Sequence, residues 1–274
     1  MQRARRILCA IGTALCAGQA HAAEKQYAFG VFPYLPLATI YELYAPVATD
    51  FEAKVRRRVQ LSSKSGYESF NGQLRKQIYD IAFVQPFDYV EAYDKYGYLP
   101  LARKKGDLQA LIVVRQDSPL RTIRDLKGRT LANPPADAAV SHLTSMALRD
   151  AGIDPATGVK RFYGKNHFAC LQSVLIGAAD ACGTAEQPLR TLKHEGQITI
   201  PLRVLHKTVR IPPALFVAHR RVPEKDRDIL LRTIVGWPNT QEGKAIIKAG
   251  RFVPFVAAKD SDYEVVRRYV RNGR

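Results

Sequence analysis

Residues 80–96 read DIAFVQPFDYVEAYDKY, and they contain the clearest structural signal in the chain. Residues 81–84 are a short continuous apolar run, which is typical of a strand buried on both faces. Pro86 ends the strand, and apolar residues then recur at helical spacing over residues 87–96. A buried strand followed directly by a helix is one βα unit. The sequence therefore predicts an α/β protein with largely parallel sheets.

The same alternation of strand and helix continues on both sides of this unit. Before Asp117-Ser118-Pro119, the pattern predicts strands at 27–32, 59–61, 81–84 and 108–115 and helices at 37–53, 66–77 and 87–96. After this triplet, it predicts strands at 130–132, 160–163, 179–183, 203–205 and 214–219 and helices at 123–126, 139–151, 167–176, 186–194, 223–235, 240–249 and 262–270.

The restart of the pattern after Pro119 predicts two lobes. We place lobe 1 at residues 23–115 plus 214–274 and lobe 2 at residues 116–213. The chain then crosses between the lobes twice, and lobes joined in this way are suited to hinge closure around a ligand. Ligands of α/β sheets bind beyond the carboxyl ends of the strands, beside helix N-termini. We therefore expect the ligand contacts in the loops that follow the strands.

The N-terminus has the pattern of a secretory signal. Three arginines among the first six residues precede an apolar run over residues 7–17, and Ala20-His21-Ala22 is a small-x-small cleavage site. The apolar run is shorter than the ~20 residues that cross a bilayer. The sequence therefore predicts a signal peptide over residues 1–22, cleavage after Ala22 and export to the periplasm.

The chain is strongly basic. Removing residues 1–22 with their three arginines from 274 residues of net charge +17 leaves 252 residues of net charge +14. Such a charge favours an anionic ligand, an anionic membrane surface or nucleic acid, and export argues against nucleic acid. The alternative is that scattered cations such as Arg56-Arg57-Arg58 only form a solvated face.

Two cysteines, Cys170 and Cys182, remain after removal of the signal peptide. Disulfides persist in an exported protein, and a helix over 167–176 followed by a strand brings the two residues near each other. The sequence leaves open whether they form a disulfide or are two small buried residues without a bond.

Short motifs along most of the mature chain resemble the periplasmic phosphate/phosphite/phosphonate-binding (PhnD-like) family of ABC transporter substrate-binding proteins. The motifs occur in the order expected for that family. They are Gly30-Val31-Phe32-Pro33, Ser65-Gly66-Tyr67, the segment 80–86, Asp125-Leu126-Lys127-Gly128-Arg129, Ala151-Gly152-Ile153-Asp154, Gly164-Lys165-Asn166-His167 and the segment 174–181. The resemblance implies a type 2 periplasmic-binding-protein fold.

One segment departs from this family. Where the family has a Ser-Thr-Ser-Gly phosphonate clamp at a helix N-terminus, this sequence has Asp137-Ala138-Ala139-Val140. Asp137 is expected either to cap the helix or to contact the ligand, and its carboxylate repels a phosphonate dianion. Ser141 and His142, one turn further along, are candidate replacement donors.

Loop position and side-chain chemistry give the candidate ligand contacts. Those that follow strands or open helices are Tyr34, Tyr67, Gln85, Phe87, Asn166 and His167. The Gln85 amide fixes ligand orientation, and the resemblance implies a ligand contact for Tyr67 and His167. The alternative for His167 is a capping or core role. Two further candidates are Glu186 and Arg210. Glu186 lies where the family often has a polar contact, and Arg210 is either a bidentate donor to the ligand or a solvated surface residue.

Motifs of catalysis are absent from the sequence. It contains no Gly-x-Ser-x-Gly, no Gly-rich phosphate loop and no His-Glu-x-x-His, and its histidines have no metal-ligand spacing. We therefore predict a monomeric binding protein, not an enzyme, without cofactor or metal, whose partners are a small, anionic ligand and an ABC permease.

Three other functions remain open at this stage. The same fold can serve as the periplasmic partner of a membrane histidine kinase. A periplasmic enzyme is the second alternative, with Cys170 or His167 as its reactive group. A soft-metalloid ligand held by the thiolates of Cys170 and Cys182 is the third.

Overall fold

Two separate β-sheets organise residues 26–272, the part of the chain that the computed structural model describes. The signal peptide predicted for residues 1–22 lies outside the described residues. The strands are β1 (Tyr27–Val31), β2 (Val59–Leu61), β3 (Ile81–Val84), β4 (Tyr98–Lys104), β5 (Leu108–Arg115), β6 (Thr130–Asn133), β7 (Lys160–Tyr163), β8 (Ala181–Ala185), β9 (Leu202–Ile211), β10 (Leu215–His219) and β11 (Phe255–Ala257).

Helices cover the sheets and connect most of the strands. They are α1 (Leu37–Val55), α2 (Tyr67–Arg75), α3 (Pro86–Tyr96), α4 (Ala139–Asp150), α5 (His167–Leu175), α6 (Glu186–His194), α7 (Glu224–Gly236), α8 (Gln241–Gly250) and α9 (Glu264–Asn272). Short 3-10 turns occupy Ile123–Leu126, Trp237–Asn239 and Asp260–Tyr263. The α/β class predicted from the sequence is confirmed.

The first sheet has six strands in the order β11-β4-β10-β3-β1-β2. Strand β1 is parallel to β2 and β3, whereas β10 is antiparallel to both β3 and β4. Aromatic rings fill the space under α1 and α7, where Phe29, Phe51, Phe83, Phe216 and Trp237 are almost fully buried. Large buried rings contribute much of the hydrophobic stabilisation of a core, so this cluster anchors the first lobe.

The second sheet has five strands in the order β7-β6-β8-β5-β9. Strand β6 is parallel to β7 and β8, and β5 is antiparallel to β8 and β9. Leu111 and Val113 of β5 pack on the side of α5, whereas Ile112 and Val114 pack in a second cluster with Leu148 of α4. Both faces of this sheet are therefore covered, as a continuous apolar run predicts.

The chain passes between the two sheets at residues 105–107 and again at residues 212–214. The sequence predicts crossings near 115 and near 213, but β5 already belongs to the second sheet, so the first crossing lies before β5. The sequence misplaces it because the turn signal at Asp117-Ser118-Pro119 follows β5, and an apolar run does not reveal which sheet it joins. Strand β5 pairs with β8 and β9 in the second sheet.

Several strands differ from the sequence prediction. Strands β4 and β11 were not expected, because Pro100 interrupts the apolar pattern of β4 and β11 has only three residues. Strand β9 extends over ten residues instead of the expected three. The antiparallel pairs made by β4, β5, β9, β10 and β11 also limit the expected parallel character of both sheets.

Cys170 of α5 and Cys182 of β8 form a disulfide, with their Cα atoms 5.7 Å apart. Both residues are fully buried in the cluster between α5 and the second sheet. The structure therefore decides between the two alternatives that the sequence left open. Because the two sulfurs are bonded to each other, neither cysteine is free to act as a reactive thiol or as a thiolate ligand of a metalloid.

Candidate ligand-binding cleft

A cleft of about 720 Å³ lies between the two lobes. From the first lobe it is lined by Pro33 and by residues 65–69, 72, 73, 75 and 76, and from the second by Pro135, Asp137 and Lys165. These residues belong to loops that follow β1, β2, β6 and β7, or to α2 and its C-cap residue Lys76. The cleft therefore lies where α/β proteins bind ligands, beyond the carboxyl ends of parallel strands.

Gln85 connects the two lobes beside this cleft. It precedes α3 in the first lobe and is almost fully buried. Its Nε2 donates to the main-chain oxygen of Asp137 at 2.6 Å, and its Oε1 accepts from the N–H of Ala139 at 2.8 Å. A single side chain thus satisfies a free N–H group at the start of α4 in the opposite lobe.

Asp137 does not cap α4. The N-cap position is occupied by Ala138, which makes no side-chain hydrogen bond. Asp137 instead contributes its main-chain oxygen to Gln85 and is exposed on the wall of the cleft. The capping alternative for Asp137 was therefore wrong, because an amide from the other lobe takes that role.

The side chains of Ser141 and His142 both contact other residues of the protein. The buried hydroxyl of Ser141 donates to the main-chain oxygen of Pro134 at 3.0 Å. The ring of His142 packs against Phe87 of the first lobe, with ring centroids 4.8 Å apart. Burial lowers the pKa of His142, which favours its neutral form. In this conformation Ser141 does not present a free donor to replace the missing clamp, and His142 adds no positive charge.

Tyr67 and Asp88 form a polar group on the first lobe. Tyr67 opens α2 and lines the cleft, and burial together with the carboxylates of Asp88 and Asp137 raises the pKa of its phenol. Asp88, in the first turn of α3, accepts a hydrogen bond from Asn71 at 3.2 Å. The other carboxylate oxygen of Asp88, Oδ2, is buried and has no hydrogen-bond partner among residues 26–272.

Burial is the main reason that the pKa of Asp88 rises from 3.8 to about 7, and the nearby Asp137 raises it further. Sequence analysis did not identify Asp88. The sequence feature that could have indicated Asp88 is its position three residues after Gln85, in the first turn of the helix that Pro86 opens. An acidic residue in a first helical turn is usually explained by the helix dipole alone.

Tyr34 belongs to an aromatic wall behind the loop that follows β1. Its ring lies 4.9 Å from Phe32, and its hydroxyl shares a 2.9 Å hydrogen bond with that of Tyr44. Phe32 in turn lies 6.3 Å from Tyr67. The aromatic residues that sequence analysis proposed on this side therefore belong to one continuous surface.

Asn166 and His167 lie at the start of α5. The Asn166 Oδ1 accepts from the N–H of Ala169 at 2.9 Å, so Asn166 is the N-cap of the helix. His167 Nδ1 lies 3.4 Å from the hydroxyl of Thr184, and burial lowers the pKa of His167 to about 4. The imidazole is therefore neutral at pH 7 and can act towards a ligand only as a neutral donor or acceptor.

Glu186 and Arg210 lie outside the cleft. Glu186 is exposed and lies 3.6 Å from Arg190 in an ion pair on the surface of α6. Arg210 is exposed on β9, opposite Gln109. Neither residue is among those that line the cleft.

Among the described residues, no group of three or more His, Cys, Asp or Glu is arranged to hold a metal ion. Over the same part of the chain, no helix combines the length and the apolar character that spanning a bilayer requires.

Two α/β lobes, a double crossing between them and a cleft at their strand ends define the class of type 2 periplasmic binding proteins. Residues 29–263 match a family described as ABC transporter, phosphonate, periplasmic substrate-binding protein, and the chain belongs to this family. The resemblance found in the sequence is confirmed. The chain is thus a substrate-binding protein of the phosphonate transporter type, and the family favours neither the kinase partner nor the enzyme.

Individual relatives are distant. The Phosphonates-binding periplasmic protein of Escherichia coli (strain K12) is 22% identical over 269 residues, which cover 94% of this chain and 80% of that protein. PhnD1 from Prochlorococcus marinus, solved in complex with methylphosphonate, has a TM-score of 0.79 at 17% identity, covering 91% of this chain and 98% of that chain.

A binding protein component of an ABC phosphonate transporter from Pseudomonas aeruginosa has a TM-score of 0.75, also at 17% identity. It covers 90% of this chain and 85% of that chain. At these identities the two solved structures establish the fold alone.

Proposed function

We propose that this protein works in the periplasm, where it captures a small anionic ligand of the phosphonate or oxyanion class and delivers it to an ABC permease. The observation that carries the proposal is the contact of Gln85 with Asp137 and Ala139, because it joins the lobes beside a cleft of ligand size. Such a contact forms only when the lobes are closed, and closure around a ligand is the working step of a hinged binding protein.

The charge distribution around the cleft supports an anionic ligand. Arg75, Lys76 and Lys165 line it, against two acidic residues, Glu68 and Asp137. The ligand binds first to the open lobe 1, against Tyr67 and the Gln85 loop. Lobe 2 then closes, and the closed shape is what the permease recognises.

A thermal-shift screen of the mature protein tests the proposal. The panel contains phosphonates, phosphate, phosphite, sulfonates, carboxylates, oxyanions of arsenic and selenium, and amines, because a ligand that binds the folded state raises the Tm by mass action. We expect a hit among the anions, with a decrease of the radius of gyration in small-angle X-ray scattering. A hit confined to amines contradicts the anionic ligand, and a panel without hits contradicts the ligand class.

The role of Tyr67 is tested by Tyr67→Phe, with Tyr41→Phe as the matched control on exposed helix surface. Loss of the phenolic hydroxyl from the cleft wall weakens binding of the hit by roughly 3- to 30-fold, whereas the control leaves it unchanged. Equal affinities of the two variants remove Tyr67 from the binding site.

A further inference from the structure

Lys104 is the last residue of β4, immediately before the chain crosses to the second lobe. Strand β4 is antiparallel to β10, and β10 is antiparallel to β3. Strand β4 therefore runs in the same direction as β3 and β1, and its carboxyl end lies at the edge of the sheet that supplies Gln85 and the loop of Tyr34. The fold brings Lys104 to the ligand-binding edge of the first lobe.

The surroundings of Lys104 are aromatic. Its Nζ lies 5.5 Å from the ring centroid of Tyr34 and 5.3 Å from that of Phe83, within the range of cation–π attraction. Phe83 lies in the buried core, and Tyr34 belongs to the aromatic wall next to the cleft. Lys104 is half-buried, and its ammonium group lies partly against apolar surface.

No carboxylate among residues 26–272 forms an ion pair with Lys104, and its ammonium donates no hydrogen bond to this part of the chain. The neighbouring Arg103 shows the contrast, because its Nε lies 3.3 Å from Asp262. Loss of hydration lowers the pKa of Lys104 to about 8. A partly dehydrated cation without a counter-charge destabilises a folded protein. Charged residues that destabilise the fold in this way are typical of binding sites.

We propose that Lys104 binds the anionic group of the ligand on the first lobe. The ligand oxyanion supplies the counter-charge that the protein lacks at this position, with Tyr34 beside it. At the start of α4 on the second lobe, Gln85 already occupies the N–H of Ala139 and Asp137 stands next to it, so this helix end does not offer Ala139 as a donor to an anion. The role given to Lys104 rests on the proposed function and places the negative charge of the ligand beside Tyr34 on the first lobe.

The test compares Lys104→Met with Lys105→Met, which removes the same charge from the exposed next residue. The probes are methylphosphonate, inorganic phosphate and methanesulfonate, measured by calorimetry and thermal shift. For the anion that binds the unaltered protein, we expect Lys104→Met to weaken binding at least about tenfold and Lys105→Met to leave it unchanged. Without ligand, Lys104→Met raises the Tm by roughly 5 °C at pH 7, because a dehydrated charge is gone.

The pH dependence of binding gives an independent measurement. Affinity of the unaltered protein falls as the pH rises above about 8, because free Lys104 then loses its proton. The titratable groups of the surrounding aromatic wall are Tyr34 and Tyr44, and burial holds both of their pKa values well above this range. Asp88 at the contact between the lobes has a pKa of about 7, and it titrates in both proteins, as does the ligand. Lys104→Arg stays charged and therefore abolishes the fall of affinity above pH 8 that Lys104 causes.

Two results overturn the role of Lys104. If the unaltered protein and Lys104→Met bind the anion equally, the proposed function stands and Lys104 is not part of the site. If no probe and no other anion binds the unaltered protein, the anionic ligand class fails and the role of Lys104 fails with it.

Discussion

Asp88 places a carboxylate at the contact between the lobes, where it has one hydrogen bond from Asn71 and a buried oxygen without a partner. In the folded protein the carboxyl keeps its proton up to about pH 7, whereas in the unfolded chain it ionises near 3.8. The folded state therefore binds more protons between these two values. Stability contributed by this group is complete below pH 3.8 and is lost as the pH rises through 7.

We expect Asp88→Asn to stabilise the protein at pH 8 and to have little effect at pH 4. The shift of the pKa corresponds to at most about 4 kcal/mol at pH 8, and relaxation of the site makes the measured value smaller. Urea unfolding at a series of pH values measures it, with Asp107→Asn on exposed surface as the control. A parallel pH dependence for Asp88→Asn and the unaltered protein would show that Asp88 stays ionised.

At the scale of single residues, position at a strand end or helix start is a property of the chain itself, and it led to the prediction of Tyr67, Gln85 and Asp137 as ligand contacts. The structure places Tyr67 and Asp137 on the cleft wall and Gln85 at the contact between the lobes. Asp88 and Lys104 were missed because their importance arises from burial and from the absence of a partner. The burial of a side chain and the absence of a partner both depend on residues that are distant in the chain, so the local sequence does not indicate them.

The pairing of α5 with β8 determines the stability of the second lobe at the scale of secondary structure. The disulfide between Cys170 and Cys182 closes a loop across a sequence separation of 12 and joins the helix covalently to the sheet. Its main effect in the chain-entropy description is on the unfolded state, where it restricts the conformations of that loop.

We expect the double variant Cys170→Ala/Cys182→Ala to lose roughly 3 kcal/mol of unfolding free energy, and the two buried sulfurs add a small cavity cost. Denaturant unfolding with and without a reductant measures the loss. A reductant should lower the stability of the unaltered protein and leave the double variant unchanged. If reductant affects neither protein, the two thiols are not bonded in solution.

Gly183 of β8 allows α4 to lie close to the second sheet. A Cβ atom at this position stands 2.5 Å from the Nδ2 of Asn133 and 2.6 Å from the hydroxyl of Thr144. We expect Gly183→Ala to cost about 1–3 kcal/mol through overpacking, measured by denaturant unfolding. The matched control is Gly72→Ala in α2, where a Cβ atom meets no neighbour. An equal effect of the two substitutions contradicts the close packing of α4 on β8.

Most helices and strands were predictable because their apolar spacing is local. The exceptions share a physical cause: β4, β11 and most of β9 are stabilised by pairing with distant strands, not by their own pattern. Strand β9 illustrates this, because only Thr208 and Ile211 among its ten residues are buried. The sequence pattern of such a strand predicts a loop, because the strand is stabilised only by its pairing partner.

At the scale of the whole molecule, the two lobes meet along α4. Val140, Leu143 and Met146 of α4 belong to the same apolar cluster as the core of the first lobe. Gln85 adds two hydrogen bonds between the lobes. The balance between open and closed forms therefore depends on a small number of contacts, as expected for a protein that a ligand must be able to close.

We expect Gln85→Ala to shift the unliganded protein towards the open form. The substitution leaves the N–H of Ala139 without its partner, which disfavours closure by about 1–3 kcal/mol. Small-angle X-ray scattering of the unliganded variant should give a larger radius of gyration than the unaltered protein, and Gln116→Ala on exposed surface should not. Identical scattering curves contradict a role of Gln85 in closure.

The two crossings have a consequence for the exchange of parts between related proteins. Residues 108–211 form the second sheet without interruption, and their first and last residues, Leu108 and Ile211, are paired neighbours on β5 and β9. The chain thus enters and leaves this half at one place. The second lobe of a related protein whose first and last strands are adjacent and antiparallel can therefore replace residues 108–211 as one segment. Such a replacement changes one wall of the cleft and leaves the other wall and both chain termini unchanged.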